Sequence, residues 1–175
     1  YLVWKAKLLP QLFQGKAAII QRIHPITGRT YRYVRWQSNT SPILGKFRKL
    51  FYPSGKKRIP QNLEKFLRDD ISFAIWFYDD GYYYARDKCS YLYLGKVSVE
   101  EAQIAQKAIQ HRFDILSKIL DKKDKGFALY FPVEETLTLR KFGSRLQGHP
   151  ERLRLPGLES TSGPLGEGLG QAAGY

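Results

Sequence analysis

The chain is poor in sulfur-containing residues. Its 175 residues include one cysteine, Cys89, and no methionine, not even at position 1. A single cysteine excludes an internal disulfide framework and predicts a reducing, intracellular compartment, with mitochondrion, chloroplast and prokaryotic cytoplasm equally compatible. Cys89 has no partner at zinc-site spacing, so we expect a packed thiol. The missing initiator methionine predicts that the chain is a fragment of a longer protein.

Long apolar runs are absent as well. No stretch of the sequence reaches the roughly 18 apolar residues that a membrane span needs, and no signal peptide opens the chain. The apolar content is nevertheless 43%, with 14% aromatic residues, which favours a folded protein with a real core. We therefore expect a folded protein with no membrane partner.

Acidic residues are missing from the first third of the chain. Residues 1–63 contain thirteen Lys or Arg and no Asp or Glu, whereas residues 64–175 contain 16 basic and 16 acidic residues. The basic segment is also rich in Trp, Tyr and Phe, unlike a disordered basic tail. A folded basic surface predicts a polyanionic partner, which we expect to be a nucleic acid. A structural basic protein, such as a ribosomal one, would carry a similar charge.

Residues 71–81 combine an apolar run with two carboxylates and a glycine at its end. Asp69 precedes the run as an N-cap candidate, and Gly81 is a typical helix terminator. The pattern predicts a helix, buried along its length, that delivers Asp79 and Asp80 at its C-terminal end. Because that end carries partial negative charge, a bound divalent cation such as Mg²⁺ would stabilise the carboxylates. A core strand entering an Asp-Gly turn is the alternative.

Two β-rich runs, residues 17–23 and 30–37, flank a loop and predict a hairpin. Arginines on such a ribbon can reach base edges and phosphates in a nucleic-acid groove. A solvated hairpin face is the structural alternative. The basic candidates are Arg22, Arg29, Arg32 and Arg35, interleaved with Tyr31, Tyr33 and Trp36.

The rest of the pattern repeats in architecture. The predicted elements are a helix at 43–51, strands at 82–86 and 90–94, a helix opened by the capping box of Ser98 and Glu101, a hairpin between 119 and 131, and a helix at 133–146. Residues 70–146 thus follow the order helix, ribbon, helix, ribbon, helix, and residues 1–51 follow its last three fifths. From Pro156 onward Gly, Ser, Leu and Pro dominate, which predicts a disordered tail.

Two segments at a fixed separation resemble a known family. They are FYPSGKKRIPQNL at residues 51–63 and AIWFYDDG at residues 74–81, and together they resemble the LAGLIDADG homing endonucleases, in particular the single-chain, intron-encoded type. The resemblance implies an α+β fold of tandem αββαββα repeats with saddle-shaped antiparallel sheets, the first repeat truncated at its N-terminus. The implied domains are residues 1–68 for the rest of the first repeat and a basic connector, 69–156 for the second repeat, and 157–175 for the Gly-rich tail.

The resemblance implies a sequence-specific double-stranded DNA endonuclease that makes a staggered, metal-dependent cut by phosphodiester hydrolysis. Asp80 and Gly81 would hold Mg²⁺ together with an acid from a first motif helix that the sequence lacks, so the fragment is expected to be inactive and the full-length chain a monomer. Lys57 aligns with a catalytic lysine, with a simple phosphate contact as the alternative. Arg154 is the nearest match to a second basic residue, although arginine stays charged and surface charge is the simpler explanation.

Further nucleic-acid contacts are expected from the basic connector and the second ribbon. The alternative function on the same fold is a group I intron RNA maturase, with intron RNA as its partner. The Asp-Asp-Gly end favours catalysis, because RNA binding alone needs no metal-binding acid. An intein is disfavoured, since no splicing-type Cys or His block is present. The additional contact candidates are Lys56, Arg58, Tyr84, Arg86 and Lys88.

Overall fold

The computed structural model describes residues 2–144 and contains a two-stranded and a four-stranded antiparallel sheet together with helices. The first part comprises α1 (Leu2–Lys7), β1 (Ala18–Ile23), β2 (Thr30–Arg35) and α2 (Pro42–Phe51). The second part comprises α3 (Asp70–Asp80), β3 (Gly81–Tyr84), β4 (Cys89–Gly95), α4 (Val99–Phe113), β5 (Lys118–Asp121), β6 (Phe127–Phe131) and α5 (Val133–Ser144). The order of the second part is αββαββα, so the predicted α+β fold class is confirmed.

The core lies on one face of the four-stranded sheet, whose strand order is β3-β4-β6-β5. Leu92 of β4 faces Leu129 of β6 across the ladder, and both are fully buried. Ala105 and Ile109 of α4 cover them and are equally inaccessible. Small alanines on α4 let the helix approach the sheet closely. Among residues 2–144, every helix is too short or too polar to cross a membrane.

Helix α3 excludes the alternative of a strand entering a turn. The Asp69 carboxylate accepts a hydrogen bond from the Ser72 amide at 2.8 Å, and the Ser72 hydroxyl lies 3.3 Å from the Asp69 amide, which completes a capping box. The expectation that this helix is buried along its length is wrong. Phe73 and Ala74 are buried, but Ile71 is 43% exposed. One face of α3 packs against the sheet and α5, while the other borders a cavity.

Gly81 ends α3 for a different reason from the one expected of a terminating glycine. Its φ of −93° and ψ of 161° are extended values that any residue adopts. A Cβ at this position, however, would lie 2.2 Å from the Phe77 carbonyl oxygen and 2.8 Å from its ring. Strand β3 starts directly against the last turn of α3, so the position requires the absence of a side chain rather than a left-handed backbone.

Helix α2 is amphipathic but incompletely covered. Pro42 occupies its first turn as predicted, and Ser41 precedes it in extended conformation without a side-chain capping hydrogen bond. No residue of α2 is buried, and Phe47 and Phe51 pack in edge contacts against Phe66 of the connection to α3. The apolar face of α2 therefore forms one wall of the cavity beside α3.

Candidate metal and nucleic-acid site

The C-terminal end of α3 brings two carboxylates to the protein surface. The last turn of this helix contains no basic residue, so any compensating cation must come from elsewhere in the chain. Lys57 supplies one, with its Nζ 3.7 Å from Asp80 Oδ2. Lys5 of α1 supplies the other through a direct ion pair with Asp79 Oδ2. Two lysines thus offset charges that the helix dipole alone would disfavour.

A turn after α2 carries Lys57 to this position. Gly55 takes a φ of +74°, which glycine adopts without strain, and closes a turn with Tyr52. The Arg58 amide then donates to the Phe51 carbonyl at 2.7 Å, and the Ile59 side chain is buried. These contacts fix the backbone on the C-terminal side of Lys57, so its approach to Asp80 follows from the local fold.

Lys57 and Asp80 lie at a cavity of about 680 Å³ between α2, α3 and the segment that joins them. Trp76 lines the same cavity one helical turn before Asp80. The apolar lining consists of Phe47, Phe51, Ile59, Leu63, Phe66, Leu67 and Trp76. The charged pair therefore stands beside a largely apolar wall, where electrostatic interactions are less screened than in bulk water.

Asp80 is a carboxylate that could serve as one ligand of a metal ion. Its side chain is 42% exposed, and within residues 2–144 it has no hydrogen-bond donor that would compete with a cation. No group of three His, Cys, Asp or Glu side chains that could hold a metal exists in this described part. Mg²⁺ commonly binds through one or two carboxylates plus water and substrate phosphates. A carboxylate such as Asp80, with the Gly81 carbonyl next to it in the sequence, could supply part of such a donor set.

The hairpin arginines are all exposed, but they do not share one face. Arg22 pairs with Tyr31 across the ladder, and Arg35 with Ala18, on a face where the tyrosines are half-buried. Arg32 pairs with Gln21 on the opposite face. Because side chains alternate along a strand, the spacing of three between Arg32 and Arg35 separates them. Arg29 lies in the connection.

The candidates of the connector and the second ribbon have mixed environments. Lys56 and Lys88 are exposed, the latter at a turn with φ of 53°. Arg86 lies over the Tyr84 ring, 5.1 Å from its centroid, and pairs with the neighbouring Asp87 at 3.0 Å. Arg86 and Lys88 therefore present positive charge at the tip of the β3–β4 ribbon.

Arg58 makes a structural contact with Glu101 of α4. Its guanidinium donates to Glu101 Oε1 at 2.9 Å, while Ser98 donates its amide to the other oxygen at 2.9 Å. Burial alone would raise the pKa of Glu101, but these hydrogen bonds outweigh it and the pKa lies below its usual value. Arg58 remains solvent-accessible, so its nucleic-acid role stays a prediction. Arg154 lies outside the described residues.

A tyrosine-rich surface on the second sheet was not anticipated from the sequence. Tyr91 pairs with Tyr82 and Tyr130 on neighbouring strands, so these side chains share the sheet face opposite the buried leucines. Tyr91 and Tyr130 have ring centroids 5.4 Å apart, and Lys122 lies 4.7 Å from the Tyr91 ring centroid. Burial, with help from the neighbouring Cys89 thiol, raises the pKa of Tyr91 to about 12. Alternating tyrosines at 82, 84, 91 and 93 were the available signal.

Comparison with known proteins identifies two different relationships. A model of the LAGLIDADG DNA endonuclease family matches residues 1–139. The fold is similar to the solved structure of the homing endonuclease I-WcaI bound to its DNA recognition sequence, with a TM-score of 0.70 at 20% identity. The alignment covers 81% of this chain and 64% of that one.

The C-terminal part has a second similarity. A model of the transketolase thiamine diphosphate binding domain matches residues 121–175. The chloroplastic transketolase of Spinacia oleracea is 51% identical over 41 residues, 23% of this chain, and the transketolase of Buchnera aphidicola is 49% identical over 43 residues, 25% of this chain. The chain spans only 6% of the length of either relative. The longer match and the fold decide the identity, and the chain belongs to the LAGLIDADG DNA endonuclease family.

Proposed function

We propose that this chain acts in sequence-specific, metal-dependent cleavage of double-stranded DNA. The observation that carries the proposal is the approach of Lys57 to Asp80 at 3.7 Å on the exposed end of α3. A carboxylate and a lysine so placed can hold, respectively, a divalent cation and the phosphate or water that the cation activates. Magnesium, when bound, would polarise a phosphate oxygen and lower the pKa of a bound water. No Ser, His or Cys nucleophile is then required.

The residues at the end of α3 and in the connector have different roles in this proposal. Asp80, with the Gly81 carbonyl, holds the cation, and Lys57 contacts the scissile phosphate or orients the attacking water. A paired site needs a second acid besides Asp80, which we assign to a motif helix outside the described residues, so residues 2–144 alone are expected not to cleave DNA. With both acids in one chain, the enzyme would act as a monomer.

DNA binding is assigned to the two strand surfaces and the basic connector. Residues 1–63 supply thirteen positive charges without a single acid, which favours phosphate contacts along the duplex. Arg22, Arg32 and Arg35 project from both faces of the first hairpin, so one face is available to a groove and the other to the backbone. The tyrosine surface of the second sheet adds hydroxyl donors and ring surfaces that can contact base edges.

The target DNA is proposed from the transketolase similarity. An intron-encoded enzyme of the kind this chain resembles is expected to act at the position where its own coding sequence is inserted. The endonuclease match covers residues 1–139 and the transketolase match covers residues 121–175, so transketolase-like sequence continues beyond the end of the endonuclease match. We therefore assign the target to an uninterrupted transketolase gene, at the codons next to those that correspond to this transketolase-like segment.

The proposal is tested by binding of the purified chain to overlapping duplexes that tile a transketolase coding sequence, with shuffled duplexes of equal composition as controls. One tile should bind at least about tenfold tighter than the shuffled set at physiological salt, because specific complexes exceed non-specific ones by large factors. Equal binding to all duplexes would contradict the assigned target. Tighter binding to structured intron RNA than to any duplex would instead favour a maturase.

A further inference from the structure

Asp79 and Asp80 are neighbouring, chemically identical acids at the end of α3. Successive residues of a helix are rotated by about 100° around its axis, so the two carboxylates face different surroundings. Both are partly exposed, and exposure therefore does not distinguish them as cation ligands. The two carboxylates differ instead in how closely their lysine partners approach them.

The two ion pairs differ in closeness. Lys5 Nζ donates directly to Asp79 Oδ2, whereas Lys57 Nζ stays 3.7 Å from Asp80 Oδ2, beyond ordinary hydrogen-bond length. A cation that approached Asp79 would have to displace a contact ion pair. At Asp80 it would meet only a longer and weaker attraction.

The fold holds Lys5 in place. Its neighbour Ala6 is 3% exposed, which docks α1 against the rest of the protein. The amides of Leu8 and Leu9 close the end of the helix on the carbonyls of Lys5 and Ala6 at 3.2 and 3.1 Å. Lys5 is therefore directed at Asp79 by a packed helix and not by a free chain end.

We propose that Lys5 is a positioning residue that occupies Asp79 and thereby makes Asp80 the carboxylate available to a divalent cation. The inference rests on the proposed function, which assigns the cation to Asp80. It adds that the choice between two adjacent acids is made by a lysine 74 residues away in the sequence.

The test uses Tb³⁺ as an oxygen-seeking probe on the full 175-residue chain. Trp76 lines the cavity that contains Asp80 and can sensitise Tb³⁺ luminescence, which gives a readout independent of DNA cleavage. Tb³⁺ affinity is measured for the wild type, Asp80→Asn, Lys5→Gln and the double variant. Lys7→Gln, alone and with Asp80→Asn, is the matched control, because exposed Lys7 lies on the same helix and carries the same charge.

In the wild-type background, Asp80→Asn should weaken Tb³⁺ binding by about tenfold or more, as expected for a lost ligand. In the Lys5→Gln background the same substitution should weaken it by no more than about threefold, because loss of the Lys5 ion pair makes Asp79 a competing ligand for the ion. The Lys7→Gln background should behave as the wild type. Lys5→Arg should restore the wild-type dependence on Asp80, since arginine keeps the charge.

An equal Asp80→Asn effect in the wild-type and Lys5→Gln backgrounds would overturn the role of Lys5. A different failure, no effect of Asp80→Asn even in the wild type, would overturn the metal role of Asp80 itself. Circular dichroism of each variant establishes that α1 and the core remain folded. If Lys5→Gln unfolds the chain, Asp79→Asn decides the matter, because it should leave Tb³⁺ affinity within about twofold of wild type.

Discussion

Single residues at the end of α3 set the geometry of the candidate site. Asp80 points to the cavity that Lys57 also lines, and Gly81 turns the chain at once into β3. The contact between the Gly81 backbone and the last turn of α3 leaves no room for a side chain. The Asp80 carboxylate is thereby held at the junction of a helix and a strand.

Substitution of Gly81 tests this close approach. Gly81→Ala should lower the free energy of unfolding by about 1–3 kcal/mol, because the new methyl group collides with the Phe77 carbonyl. The measurement is urea denaturation followed by circular dichroism. Gly45→Ala in α2 is the control, since nothing lies within 4 Å of its position, and it should stabilise by about 0.4–1 kcal/mol. Destabilisation by both variants to the same extent would contradict the explanation.

Some residues of the candidate site could be predicted from the sequence, whereas others are visible only in the structure. The segments that carry Lys57 and Asp80 were recognisable from their residues, and the structure brings the two side chains together. The partner of Asp79 was not recognisable, because Lys5 lies far away in the sequence and no local pattern links them. The reason why residue 81 must be glycine was also missed, since a steric contact with Phe77 produces no recognisable sequence pattern.

Among the elements, α4 shows how local signals and tertiary contacts combine. Ser98 and Glu101 form the capping box that the sequence predicts. The same glutamate, 7% exposed, also accepts the Arg58 hydrogen bond. The connector that carries Lys57 is therefore anchored to the start of α4 through the residue that follows Lys57.

Neutralising Glu101 should release this anchor. Glu101→Gln should lower the free energy of unfolding by about 1–3 kcal/mol at neutral pH, because it removes hydrogen bonds to a charged, buried group. The pKa of Glu101 is lowered in the folded state, so its contribution is present above the ordinary carboxyl pKa and disappears as the pH falls through the folded value. The difference between variant and wild type should therefore shrink in acid.

Denaturant titrations at neutral and acidic pH measure this difference. Glu100→Gln is the matched control, since Glu100 lies in the same first turn but is exposed, and its denaturation midpoint should stay close to that of the wild type at both pH values. A Glu101→Gln effect that stays constant with pH would exclude the ionised carboxylate as its source.

In the hairpin, the strands were predictable from the local sequence, but the faces on which their side chains lie were not. Strands β1 and β2 were predicted almost to the residue, because β-rich runs flank a turn-forming loop. A common basic face could not be judged from the sequence alone, since Arg32 and Arg35 are three residues apart and therefore lie on opposite faces of β2. The face that carries Arg32 also exposes three apolar side chains, those of Ile19, Ile23 and Val34.

Across the whole molecule, charge and similarity to known families are distributed unevenly along the chain. The net charge of +13 resides in the segment before α3, whereas the candidate acids lie beyond it. The transketolase-like segment begins near the end of the endonuclease match. The composition of the tail indicated only disorder, because a Gly-rich composition does not by itself reveal similarity to transketolase; the tail lies outside the described residues.

The most direct test of the central claim is cleavage of a supercoiled plasmid that carries the tightest-binding duplex, by a protein that joins this chain to a motif helix carrying the second acid. With Mg²⁺ the wild type should convert supercoiled to linear DNA, whereas Asp80→Asn should bind the duplex with affinity within about threefold of wild type and yield no linear product. Removal of the metal with a chelator should abolish cleavage by the wild type. Linear product from Asp80→Asn at the wild-type rate, or binding without cleavage by the wild type in any divalent metal, would contradict the assignment of Asp80 as the metal-binding acid of a DNA endonuclease.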